Sequence, residues 1–153
     1  MSSKTRAVLT AGVLAVALGL GATAQASAGA PRTVSGSPAD NITRIADFYG
    51  AYIDAESDPD GSGHLSTALR AYYIAPTYLK KLKAWENREH ADGVLRAQNT
   101  PLKWKVTENG TRKYTEAVIT LYWSRNTTTK VVVDMTRDTH KIVNIGTKGL
   151  GSK

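Results

Sequence analysis

The chain of 153 residues has no cysteine. That excludes thiol catalysis, cysteine-ligated zinc and iron–sulfur clusters, and every disulfide. A fold built from it must be held by its core and its backbone pairing alone. No apolar run approaches the roughly 20 residues needed to span a bilayer. No G-x-S-x-G, H-E-x-x-H or P-loop pattern occurs, so neither a nucleophile elbow, a zincin site nor a phosphate cradle is written locally. There is no internal repeat beyond short hairpin units.

What is present begins with the amino-terminal segment. Lys4 and Arg6 precede an apolar run from Ala7 to Leu20, and small residues follow, with A-Q-A at Ala24–Ala26 and A-S-A at Ala26–Ala28. Basic, apolar and small segments in that order predict a secretory signal over residues 1–28, cleaved near Ala28. A secreted, extracellular location follows as an expectation. Residues 29–37 read as a Pro/Gly/Ser tether and residues 147–153 as a polar tail. Between them, residues 38–146 are long enough for one domain with one core.

Charge is unevenly distributed. The chain carries +7, and loss of Lys4 and Arg6 with the signal leaves +5. Asp40–Asp60 is net −5 and Lys80–Lys113 net +5. The basic window reads either as a face for a polyanion or as a segment that neutralises the acidic one.

The hydrophobic period changes once. Ser37-Pro38-Ala39-Asp40 reads as an N-cap followed by a first-turn proline. Ile42, Ile45, Ala46, Tyr49, Tyr52 and Ile53 then recur at three and four, predicting a helix that ends near Glu56. Ser66 is placed to cap a short second helix, and Pro76 to break it and open a third, with Leu79, Leu82 and Trp85 inward. After Pro101 the period is two. Leu102, Trp104 and Val106 alternate with polar residues, Asn109-Gly110 predicts a hairpin, and Thr111–Ser124 predicts a long strand. Val131-Val132-Val133 suggests an interior strand, and His140–Ile145 a last one. Helices followed by a four-strand antiparallel meander is an α+β arrangement, the sheet expected to curve around the first helix.

That order of elements resembles the NTF2-like (cystatin-like) superfamily, whose helices pack into a curved, cone-shaped antiparallel sheet. A-Y-Y-I-A-P-T-Y-L-K-K-L at Ala71–Leu82 and A-D-G-V-L-R-A-Q-N at Ala91–Asn99, with Pro101 and Trp104 after it, are similar to segments of the DUF3828-type exported bacterial proteins. Gly93 and Asn99 stand where that family's pattern has proline and aspartate. The resemblance implies a fold and an exported location, and no reaction.

Four groups of residues carry the chemistry. Asp58-Pro59-Asp60-Gly61-Ser62-Gly63 matches the start of an EF-hand loop, with Asp58, Asp60 and Ser62 at positions one, three and five. The twelfth position holds Leu69 instead of a bidentate acid, so any calcium binding would be weak, on the order of 10⁻⁴–10⁻³ M. No other cofactor is expected. Tyr49, Tyr52, Tyr73, Trp104 and Trp123 are candidates to line a ligand pocket in a cone, or else to fill it as core. Asp134, flanked by apolar residues, and His140, a turn away, are the candidate acid–base pair. Lys80, Lys81, Lys83, Lys103 and Lys105 are the candidate polyanion contacts. The leading expectation is a secreted, non-enzymatic NTF2-like module that binds a partner protein or small ligand. The alternatives are a small pocket enzyme using the Asp/His pair, and a polyanion or cell-wall binder with a basic face.

Overall fold

Asp40 opens the first helix. Its carboxylate accepts a hydrogen bond from the Thr43 amide at 2.7 Å, which satisfies one of the free amino-terminal donors of α1 (Asn41–Ser57). Ser37, the expected cap, instead closes a preceding turn through its carbonyl, which accepts from the Asp40 amide. The computed structural model describes residues 33–111 and 113–151, so the signal segment and the first residues of the tether lie outside the described residues.

Helix α2 (His64–Tyr73) begins two residues before Ser66, with Gly63 as its cap, and the Ser66 hydroxyl turns back to the Gly63 carbonyl. Pro76 opens α3 (Pro76–Glu89), where its missing amide costs nothing. Four antiparallel strands follow in spatial order: β1 (Lys103–Thr111), β2 (Tyr114–Tyr122), β3 (Thr128–Thr136) and β4 (Ile142–Gly146). The fold is therefore α+β, helices first. The β1–β2 reversal comes later than Asn109-Gly110. Pairing slips between Glu108 and Thr111, and Gly110 takes φ 103° inside that irregularity, a conformation glycine adopts freely.

One face of the sheet meets the helices. Ala117, Ile119 and Leu121 of β2 and Val131, Val133 and Met135 of β3 pack with Ile45, Phe48, Tyr49, Tyr52 and Ile53 of α1. Phe48 belongs to this stripe although it was not in the expected one, and Leu102, expected inward, is 81% exposed. Helix α3 guards the outer edge of β4. The Tyr78 hydroxyl donates to the Ile145 carbonyl and accepts from the Ile145 amide, both at 2.7 Å. An edge strand so occupied cannot pair with another chain there. No helix among the described residues is long and apolar enough to cross a membrane.

Candidate functional site

The second face of the sheet is built by alternate residues. It takes Lys103, Lys105 and Thr107 from β1, Glu116, Val118, Thr120 and Tyr122 from β2, and Thr128, Lys130, Val132 and Asp134 from β3, with Asn144 from β4. No helix among the described residues packs on it. One end is basic. Lys105, Thr120 and Lys130 share a row, and Lys103 lies one row further with its ammonium 5.3 Å from the Tyr122 ring centroid. All three lysines are exposed.

The other end is acidic and covered. Glu116, Asp134 and Asn144 are cross-strand neighbours. Asp134 is only 1% exposed. Its Oδ2 accepts from Asn144 Nδ2 at 2.8 Å and from the Leu150 amide at 2.9 Å, while Oδ1 is buried without a partner. Burial pushes the Asp134 carboxyl upward and the Glu116 charge adds to it, against the pull of the Leu150 and Asn144 hydrogen bonds. Of the expected polar tail over 147–153, residues 147–151 are described, and they fold back as a strap over this pair. Asn144 holds the Lys148 carbonyl at 2.9 Å, and Gly149 rests so close on Glu116 that a Cβ would collide with the carboxylate.

Asp134 and His140 are not brought together. His140 sits in the β3–β4 connection with φ 52°, and its Nδ1 is 2.6 Å from Asn41 Oδ1. Asn41 in turn bonds Thr115, which is on the helix-covered face. Asp134 points to the opposite face, because strand alternation reverses side-chain direction at each residue.

The aromatic candidates also separate. Tyr49 and Tyr52 are wholly within the core. The Tyr49 hydroxyl donates to the Val94 carbonyl. Burial, with the Asp92 charge second, drives both phenols well above the usual tyrosine value. Tyr73 stacks on Phe48, Trp104 lies against α1 at Gly50, and Trp123 bonds Thr129 at the β2–β3 turn. These five do not share one cavity wall.

The lysines divide as well. Lys80, Lys81 and Lys83 are exposed on α3, which attends β4, while Lys103 and Lys105 are on β1 at the far edge of the sheet. Among the described residues none of the five is ion-paired with the acids of α1. Asp58, Asp60 and Ser62 border a surface depression of about 330 Å³ between α1 and α2. Asp58 Oδ1 accepts from the Asp60 amide at 3.0 Å, as in an ordinary Asx turn, and Leu69 packs against the core. Three or more His, Cys, Asp or Glu side chains arranged for a metal do not occur among the described residues.

One polar cluster had no sequence signal. Arg70 of α2 donates from Nε to the Tyr52 hydroxyl at 3.0 Å, from Nη1 to Glu86 at 3.2 Å and from Nη2 to Asp92 at 3.0 Å. Asp92 also accepts from the Tyr52 hydroxyl and, through Oδ1, from the Val94 and Leu95 amides. Its bonded side-chain pairs are 16 to 40 residues apart in sequence, so no local pattern announces them. Each guanidinium nitrogen of Arg70 has an acceptor, which marks the cluster as a clamp between α1, α2, α3 and the following loop.

The chain matches no known family profile, and no curated protein matches it. Among solved structures it is similar to a protein of unknown function from Bacteroides thetaiotaomicron VPI-5482, with a TM-score of 0.56 and 19% identity. The match covers 69% of this chain and 87% of that one. At that identity the likeness speaks for the fold alone.

Proposed function

We propose that this chain is an exported, non-enzymatic binding module of NTF2-like type whose open sheet face holds a densely charged anionic polymer outside the cell. The observation that carries the reading is the exposed set Lys103, Lys105 and Lys130 on an uncovered, threonine-bearing sheet face. Residues two apart on a strand are roughly 6.6 Å apart, and alternate strands roughly 10 Å, so the three ammonium groups can meet successive charges of an extended polymer. Thr107, Thr120 and Thr128 add neutral hydrogen-bonding groups on the same face. The net charge of +5 left after loss of Lys4 and Arg6 with the signal draws such a polymer in from a distance. The layout of residues 1–28 supports export. His140 bonds Asn41 while Asp134 bonds Asn144 and the Leu150 amide, which favours binding over the enzyme alternative.

The test is retention on heparin resin and binding of long-chain polyphosphate. Changing Lys103, Lys105 and Lys130 together to Gln is expected to abolish most binding and most of its salt dependence. Three contacts should give a log–log slope of about −2. The corresponding change of Lys80, Lys81 and Lys83 should leave binding nearly intact. Unchanged retention in the first triple variant would remove this reading.

A further inference from the structure

The two edges of the sheet are treated differently. At β4, Tyr78 engages both the amide and the carbonyl of Ile145, Arg96 reaches the same carbonyl, and the Ala75 amide donates to the Ile142 carbonyl at 2.9 Å. At the opposite edge, among the described residues, Lys103–Thr107 of β1 pair with β2 on one side and with no strand on the other. Pairing is regular over that stretch and slips only between Glu108 and Thr111. Such an edge aims a row of backbone donors and acceptors outward. Its two faces are unlike. Lys103, Lys105 and Thr107 are exposed on the open face. Trp104 and Val106 alternate with them on the helix-covered side and are only half-buried, Trp104 lying against α1 at Gly50. Leu102, just before the strand, is 81% exposed. Apolar surface is thus left open along the margin where the backbone groups point outward.

We propose that the outer edge of β1 takes up an extended acidic segment of a partner protein as an added strand, with acidic side chains over Lys103 and Lys105 and apolar ones beside Trp104 and Val106. In strand addition the backbone pairing supplies affinity, and the alternating side chains supply selectivity. Charge chooses the occupant. A second copy of this chain would bring the lysines of two β1 strands onto one face of the new ladder, where like charges opposite each other destabilise. An apolar strand would meet the same lysines without offering them a counter-charge, which is how edge lysines deter unwanted pairing. An acidic strand turns that deterrent into an attraction. The site goes beyond the polymer reading, since it uses the margin of the sheet and its outward backbone, and shares only Lys103 and Lys105 with the open face.

The probe is a synthetic peptide of about eight residues that alternates Glu and Val, titrated into the full-length protein and followed by NMR. Saturable shifts are expected at the backbone amides of Lys103–Thr107. Two further peptides carry N-methyl groups on one or the other alternate set of residues. One of them should bind at least about tenfold more weakly, because its ladder donors are gone. Changing Lys103 and Lys105 together to Gln should weaken the unmodified peptide about fivefold, within the range open to two exposed ion pairs. A peptide alternating Lys and Val should not bind. Equal binding by both N-methylated peptides would overturn the proposal, as would shifts centred on Thr120 and Lys130, or none at about millimolar peptide. Equal binding of the Lys–Val peptide would overturn the choice of an acidic occupant, and so would a dimer of the protein alone that pairs through β1. Heparin and polyphosphate have no amide backbone to pair, so their retention is unaffected by failure of the peptide arm, and the two readings fall separately.

Discussion

Arg70 shows how much of this fold rests on single side chains. Its fork engages Tyr52, Glu86 and Asp92, each from a different element, while its ring-facing side lies 5.5 Å from the Tyr52 centroid. The three charged side chains are about one-fifth exposed, so water screens them only in part. Arg70→Met would leave two carboxylates facing each other without a counter-charge. A loss of about 2 kcal/mol is expected, since hydrogen bonds to charged groups contribute about 1.5–3 kcal/mol each and part of that is screened here. Urea titration should show a lower midpoint with an unchanged slope. Arg70→Lys should recover only part of it, because an ammonium cannot reproduce the planar fork. A midpoint unmoved by Arg70→Met would show that the clamp contributes nothing net.

The elements are held by their ends as much as by their faces. The α1 cap is Asp40, whose carboxyl is drawn below its ordinary value by the Thr43 amide first and the Thr43 hydroxyl second. Asp40→Ala should cost about 1 kcal/mol, the usual value for losing an N-cap side chain. The deficit should be present above 3.8 and should vanish as pH falls through the lowered value, where the native cap is itself protonated. Chemical denaturation of both proteins at a series of acidic pH values reads this directly, and a deficit persisting at the lowest pH would contradict it. Asp40 and Asp134 thus lean in opposite directions.

The whole molecule from residue 34 onward shares one core cluster in which residues of α1, α3, the connecting loop and three strands are all members. Helices and sheet should therefore unfold together. Far- and near-ultraviolet circular dichroism are expected to give coincident thermal transitions. Phe48→Ala, which empties the ring cluster with Tyr49, Tyr52 and Tyr73, should cost about 3–5 kcal/mol and lower both transitions equally. Helical signal lost before the aromatic signal would show two independent units. The charge layout belongs to this scale too. Strand order puts Lys103 and Lys105 beside Lys130 and removes them from Lys80, Lys81 and Lys83.

Period alone determined the α+β class, because a change from three-and-four spacing to two near Pro101 reflects how each backbone presents its side chains. It also located the interior place of β3 and the apolar face of β2, while the backbone chemistry of proline located Pro76 at a helix start. The boundaries of α1, α2 and β1 depended on competition among neighbours, such as Asp40 against Ser37, which local propensity does not rank. What only the tertiary structure decided is which residues from distant segments meet. Asp134 and His140 are six positions apart and face opposite ways, while Arg70 and Asp92 are far apart and touch. Glu116, Asp134 and Leu150 became one site only when hairpin register aligned two strands and the glycine-bearing tail, free of side-chain bulk at Gly149, closed over them.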